Sequence, residues 1–216
     1  KIKKKFKFTY LLRTKYYDIF TSSQWNITLQ LGRSMDAMFQ NYQKIFGYKG
    51  PKPQPFVIFL YANQRDFIIQ CRQSPGVGGF YDGEKIVTYH GPIKETLNTL
   101  FHEGTHQFQD LVMKDFWTNS SKMTWLIEGL AVYFESAYFK GRHLITGNIV
   151  RDRLQYLKLA MEQNQLVSLR QLLTMEERRF GALEYAQAWS LIHFMVYAYN
   201  GKNRKYFLKY FKLVKD

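Results

Sequence analysis

The sequence predicts an α+β fold, with a small mixed β-sheet lobe and its helices over residues 1–93 and a mainly helical lobe over residues 94–216. Three observations carry this. The β-branched and aromatic runs that read as strands all fall before residue 90. From residue 94 onward, apolar residues recur at helical spacing almost without a break. Between the two, residues 97–113 form an amphipathic segment that carries two histidines and a glutamate at a spacing with chemical meaning. At 216 residues and 46% hydrophobic composition, the chain can bury one sizeable core. No repeat or low-complexity linker divides it, so residues 1–216 read as a single domain whose two lobes share a cleft.

Taken in order, residues 7–20 have the content of one strand and residues 24–46 that of a long amphipathic helix. Pro51, Pro53 and Pro55 make a turn into residues 56–61, a continuous apolar run suited to a buried strand, and Asn63 is placed to cap a short helix through Cys71. Phe80-Tyr81, Asp82-Gly83 and residues 86–89 read as a hairpin whose second strand leads to the motif helix. Helical periodicity then covers residues 97–113, 126–140, 149–161, 182–199 and 202–213, with Gly201 as the stop between the last two.

The motif is His102-Glu103-Gly104-Thr105-His106. Residues four apart share a helix face, so both imidazoles can reach a single Zn²⁺ while Glu103, about 100° round, addresses a water on that metal. The bland alternative is a pair of histidines hydrogen-bonded on a core helix. Glu128 follows 22 residues after His106, among apolar neighbours where a carboxylate is costly to bury unless paired or bound to metal, which makes it the natural third ligand. Three protein ligands and an open position describe a catalytic rather than a structural metal site. Glu135, seven residues further on, returns to nearly the same face; it either accepts the second ring N–H of a ligating histidine or belongs to a solvent-facing stripe.

His102-Glu103-Gly104-Thr105-His106-Gln107-Phe108, then Trp125-Leu126-Ile127-Glu128-Gly129-Leu130-Ala131-Val132-Tyr133-Phe134-Glu135, then Tyr185-Ala186-Gln187-Ala188-Trp189-Ser190-Leu191-Ile192-His193-Phe194 resemble the gluzincin, or thermolysin-like, zinc peptidases. Within that group the resemblance is to bacterial peptidase domains of unknown substrate, and in detail it covers residues 90–200. It implies a zincin-like fold with the zinc helix between two lobes, one Zn²⁺ per chain on His102, His106 and Glu128, and Glu103 as general base. It also implies a peptide or protein substrate and favours an extracytoplasmic or secreted location.

The resemblance further suggests Tyr185 as a hydrogen-bond donor to the oxyanion. The residue alone also reads as helix-start packing, with His193 or His90 as replacements in that role. One departure stands out: where thermolysin-type enzymes often carry an Asp four residues after the glutamate ligand, this chain has Val132. In gluzincins an extended peptide can add to a sheet edge above the metal. Residues 86–89 are the candidate edge here, with Tyr89 and His90 as substrate contacts, against the alternative of an internal strand paired on both sides.

The net charge of +14 is concentrated at the ends. Residues 1–15 hold seven Lys/Arg and no acid, and residues 202–216 hold six against Asp216, so the two ends carry +12 and the body is nearly neutral. Terminal basic runs read as solvated faces or as contacts with an anionic surface. No nucleic-acid-binding signature is present, so nucleic acid is not an expected partner. No apolar run approaches 20 residues, and a transmembrane helix is not expected. Lys1 in place of Met, with no apolar signal core after residues 1–5, leads us to expect a missing upstream segment. The single cysteine, Cys71, reads as a small core residue and His143 as a surface one. Two other classes compete with an enzyme: a zinc-retaining but inactive module that binds cell-wall or extracellular polymers, and a purely structural helical domain.

Overall fold

The computed structural model describes residues 8–50, 54–113, 116–119 and 123–215. The fold is α+β, and the chain divides into two compact units, residues 1–107 and 108–216. The strand expected from residue 7, the turn at Pro51 and Pro53, and the basic residues 1–5 lie partly or wholly outside the described residues.

The first unit is built on a five-stranded mixed sheet of order β1-β2-β3-β5-β4, from β1 (Tyr10–Arg13), β2 (Tyr17–Thr21), β3 (Phe56–Tyr61), β4 (Gly79–Tyr81) and β5 (Lys85–Tyr89). The single strand expected over residues 7–20 is in fact an antiparallel hairpin, β1 with β2, in the register Tyr10↔Thr21 and Arg13↔Asp18. No Gly or Pro marks its turn; Thr14 closes it locally, its amide donating to Tyr17 O at 2.8 Å and its Oγ1 accepting from the Tyr17 amide at 3.0 Å, and Asp36 braces it from outside. The Asp36 carboxylate accepts hydrogen bonds from Thr14 Oγ1 at 2.8 Å and from the Lys15 and Tyr16 amides at 3.1 Å.

Asp36 sits on α1 (Trp25–Phe46), which buries Leu31, Met35, Met38, Phe39 and Tyr42 along one stripe, each worth about 1.5–3 kcal/mol as an upper estimate. The helix ends at Gly47, whose φ of 63° is left-handed backbone that glycine adopts without penalty, and the Gly47 amide donates to Gln43 O.

Strand β3 is central, parallel to both β2 and β5. Its period of two divides its side chains between the faces. Phe56 meets Phe39 of α1 with ring centroids 5.5 Å apart, whereas Phe59 and Tyr61 join a cluster with Val87, Tyr89 and, from α2 (Gln64–Cys71), Phe67. The Asn63 side chain caps α2 by accepting from the Asp66 amide at 2.9 Å. Cys71, half-buried, packs against the same cluster, and burial raises its thiol pKa.

The β4–β5 hairpin is closed by Asp82, whose Oδ1 accepts from the Lys85 amide at 2.9 Å and whose Oδ2 accepts from Lys85 Nζ at 2.6 Å. It corrects one expectation. β5 is not an edge: it pairs with β3 on one side and β4 on the other, and the hairpin turns β4 to the outside.

Helix α3 (Ile93–Val112) carries the motif, and the division between the two units falls within it. In the second unit, α4 (Phe116–Asn119) is followed by α5 (Thr124–Glu135), buried from Thr124 to Phe134 and mostly apolar over that span, Glu128 excepted. The helix expected to reach residue 140 stops at Glu135. Tyr138–Lys140 and His143–Ile145 instead form an antiparallel hairpin, β6 with β7, turning at Gly141. His143 is exposed.

Then come α6 (Arg151–Glu162), α7 (Leu169–Thr174, with a Ser168–Gln171 capping box), a 3₁₀ turn at Glu177–Arg179, α8 (Ala182–Gly201) and α9 (Arg204–Lys215). Neither α7 nor the 3₁₀ turn stands out in the apolar periodicity. The backbone leaves helical geometry at Ala198, Tyr199 and Asn200, so α8 breaks just before the expected stop at Gly201. No helix of the described residues is long and apolar enough to cross a membrane.

Candidate metal centre

Helix α3 owes its orientation to its buried face. Leu100, Phe101, Thr105 and Phe108 are buried, while His102, Glu103 and His106 are half-buried. The Tyr42 hydroxyl of α1 lies 3.0 Å from Phe101 O and 2.9 Å from Thr105 Oγ1, and Thr105 Oγ1 lies 2.7 Å from Phe101 O, so the two hydroxyl protons are shared among three close contacts. Burial pushes the Tyr42 phenol pKa up, so it stays a neutral donor. A Cβ on Gly104 would come within 2.8 Å of Met35 Cε, so α1 packs against α3 at the motif. Sequence reasoning passed over Tyr42 and Thr105; a tyrosine five positions before a glycine stop carries no signal of a hydrogen bond 63 residues away.

Glu128 is placed by α5. Its neighbour Gly129 has no room for a side chain: a Cβ there would lie 2.9 Å from Ala188 O and from Ile192 Cγ1, both of α8. An isolated glycine in an otherwise apolar helix is the sequence signal for such a close approach, and it was available. Glu128 itself is only 7% exposed.

Ring nitrogens of His102 and His106 and a Glu128 carboxylate oxygen all lie within 4.8 Å of one another, so the three residues can hold a metal ion. The two imidazoles stand nearly edge to face, with centroids 4.9 Å apart. The donor set fits the expected metal. Two imidazole nitrogens and one carboxylate make a His₂Glu site, and ligand atoms on one tetrahedral zinc are roughly 3.3 Å apart, which is within a side-chain adjustment of the observed spacing. Immediately after His106, the Gln107 side chain is buried, and its amide has no hydrogen-bond partner among the described residues.

The other candidates lie outside this three-residue cluster. Glu135 Oε1 accepts from Arg153 Nη2 at 2.6 Å, an ion pair between α5 and α6 that residue spacing does not reveal. Tyr185 is half-buried in the first turn of α8, its ring edge-on to Phe180 at 5.6 Å. Tyr89 packs on Phe67 at 5.4 Å. His90 donates its amide to Tyr61 O at 2.8 Å, and its Nδ1 lies 3.0 Å from Ser23 Oγ. With β5 internal, the edge-strand argument for Tyr89 and His90 no longer holds.

His193, on α8, is depressed in pKa by burial, opposed by a hydrogen bond with the Gly147 backbone. Comparison with curated proteins finds no match. Residues 96–214 match a family model described as "Protein of unknown function (DUF1570)", a span that takes in His102, Glu103, His106 and Glu128; the chain belongs to that family.

Proposed function

We propose that the protein is a zinc-dependent peptidase in which His102, His106 and Glu128 hold one Zn²⁺ and Glu103 is the general base. The observation that carries this reading is the clustering of the three ligand atoms within 4.8 Å, with Glu103 half-buried on the same helix as the two histidines. When bound, zinc supplies Lewis acidity towards a scissile carbonyl and brings the pKa of a coordinated water down to about 7. Glu103 takes the proton of the attacking water and passes it to the departing amine, so hydrolysis needs no covalent enzyme intermediate. Tyr185 is assigned as a hydrogen-bond donor to the oxygen on which negative charge develops. The substrate is a peptide or protein chain.

Zinc content and cleavage of fluorescein-labelled casein test this together. The purified chain should carry about one zinc, and His102→Ala and His106→Ala should each abolish stoichiometric binding, because two remaining ligands do not make a normal site. Glu103→Gln should keep its zinc while casein cleavage falls at least ~10²-fold. Full zinc occupancy in both histidine variants would overturn the ligand assignment. Zinc binding without cleavage by the unmodified chain would leave a metal-retaining binding module instead.

A further inference from the structure

We propose that the outer face of α9 docks on a lipid bilayer that carries anionic headgroups. The helix, Arg204-Lys-Tyr-Phe-Leu-Lys-Tyr-Phe-Lys-Leu-Val-Lys215, contains five cations and no acid. Phe207 and Phe211, one turn apart, are buried and hold it to its own unit. With those two inward, the 100° step of a helix sends two adjoining stripes outward. One is Lys205, Lys209 and Lys212, all exposed. The other is Tyr206 and Leu213, exposed by 62% and 69%, flanked by Tyr210, which is 38% exposed and packs one side of its ring on Trp125 at 5.8 Å. Among the described residues no carboxylate pairs with the three lysines, so the stripe presents its charge to solvent. The Lys205 ammonium lies 5.0 Å from the Tyr206 ring centroid, which joins the two stripes into one surface.

The chemistry of the second stripe selects the partner. A soluble polyanion would reward the lysines and give little to Leu213, which offers neither a stacking face nor a hydrogen bond. An interfacial bilayer site rewards all of them: tyrosines sit at the headgroup level, leucine enters the acyl boundary, and lysines bury their stems while their ammonium groups stay with the phosphates. The inference is independent of the metal centre and of the activity proposed for it.

The experiment is co-sedimentation of the full chain at 0.1 M salt with vesicles of phosphatidylcholine alone and of phosphatidylcholine with phosphatidylserine at 70:30. Binding is expected to the second and not to the first. The triple variant Lys205→Gln/Lys209→Gln/Lys212→Gln keeps helix propensity and should bind on the order of 100-fold more weakly. Tyr206→Ser/Leu213→Ser should lose roughly tenfold on vesicles and keep its retention on heparin beads, since only the bilayer reads the apolar stripe. Circular dichroism and thermal melting verify that each variant is folded.

Absence of binding to the anionic vesicles overturns the proposal. So does a triple lysine variant that binds like the unmodified chain, which would place the attraction in the basic residues before Phe8. A serine variant with undiminished vesicle binding would make the face a general polyanion surface and would also overturn it.

Discussion

The Tyr42 hydroxyl lies 2.9 Å from Thr105 Oγ1, which stands between the two histidines of the motif in sequence. Removing that hydroxyl leaves no orphan, because Thr105 Oγ1 still reaches Phe101 O at 2.7 Å. Tyr42→Phe is therefore expected to cost about 1 kcal/mol, the net worth of one hydrogen bond, and to lower Tm by roughly 2–4 °C. A double-mutant cycle with Thr105→Val should return a coupling of about 0.5 kcal/mol or more, and strictly additive losses would show that the two hydroxyls do not act together.

Gly129→Ala sets two effects against each other. Alanine favours the helix by about 1 kcal/mol. Its methyl, however, meets the Ala188 carbonyl, which is backbone and cannot rotate away. Overpacking of this kind costs about 1–3 kcal/mol, so the net expectation is a loss of roughly 1 kcal/mol in thermal unfolding. Glu128 moves with the same turn, and zinc affinity measured by competition with a chelator should fall too. A stabilised variant would mean that α5 and α8 have slack at this crossing.

Gln107→Met should raise stability. The amide is buried without a partner among the described residues, a condition that costs about 1–3 kcal/mol, and methionine fills nearly the same volume without polar atoms. The check is a Tm increase of roughly 2–4 °C per kcal/mol recovered, with zinc content unchanged. A loss of stability on substitution would show that the amide is bonded in solution.

His193 sets a pH dependence whose sign can be worked out. Burial lowers its folded pKa below the ordinary 6.5, so on acidification the unfolded chain takes up a proton before the folded one does. The unfolded state then binds more protons, and stability rises with pH through that window. It is complete above about 6.5 and declines as pH falls through the folded pKa. The comparison to make is Tm from pH 7.5 to 5.0 for the unmodified chain and for His193→Gln. Both proteins share every other histidine, so the difference between the curves isolates His193, and it should narrow towards low pH. Parallel curves would refute the assignment.

What could be read from the chain follows from whether the determining contacts are local. Phe56–Tyr61 is a strand because an uninterrupted apolar run is bounded by Pro55 and an Asn63 cap, all within ten residues. His102, His106 and Glu128 were legible because helical spacing and a misplaced carboxylate are also local signals. The β1–β2 turn was not, since three of its hydrogen bonds go to Asp36, some twenty residues on. The end of α5 was missed for a similar reason: Tyr138–Lys140 keeps an apolar and aromatic character, and only its pairing with His143–Ile145 makes it a strand. Whether β5 lies inside the sheet or at its edge depends on strand order, which no window of sequence contains.

The two inner letters of the motif both meet α1: a side chain on Gly104 would press on the Met35 terminal methyl, and the Thr105 hydroxyl lies 2.9 Å from that of Tyr42. Transplanting the five-residue motif to another helix would therefore carry over the two histidines but neither Glu128 nor what holds them steady. A graft that works has to bring the matching stripe of α1 with it.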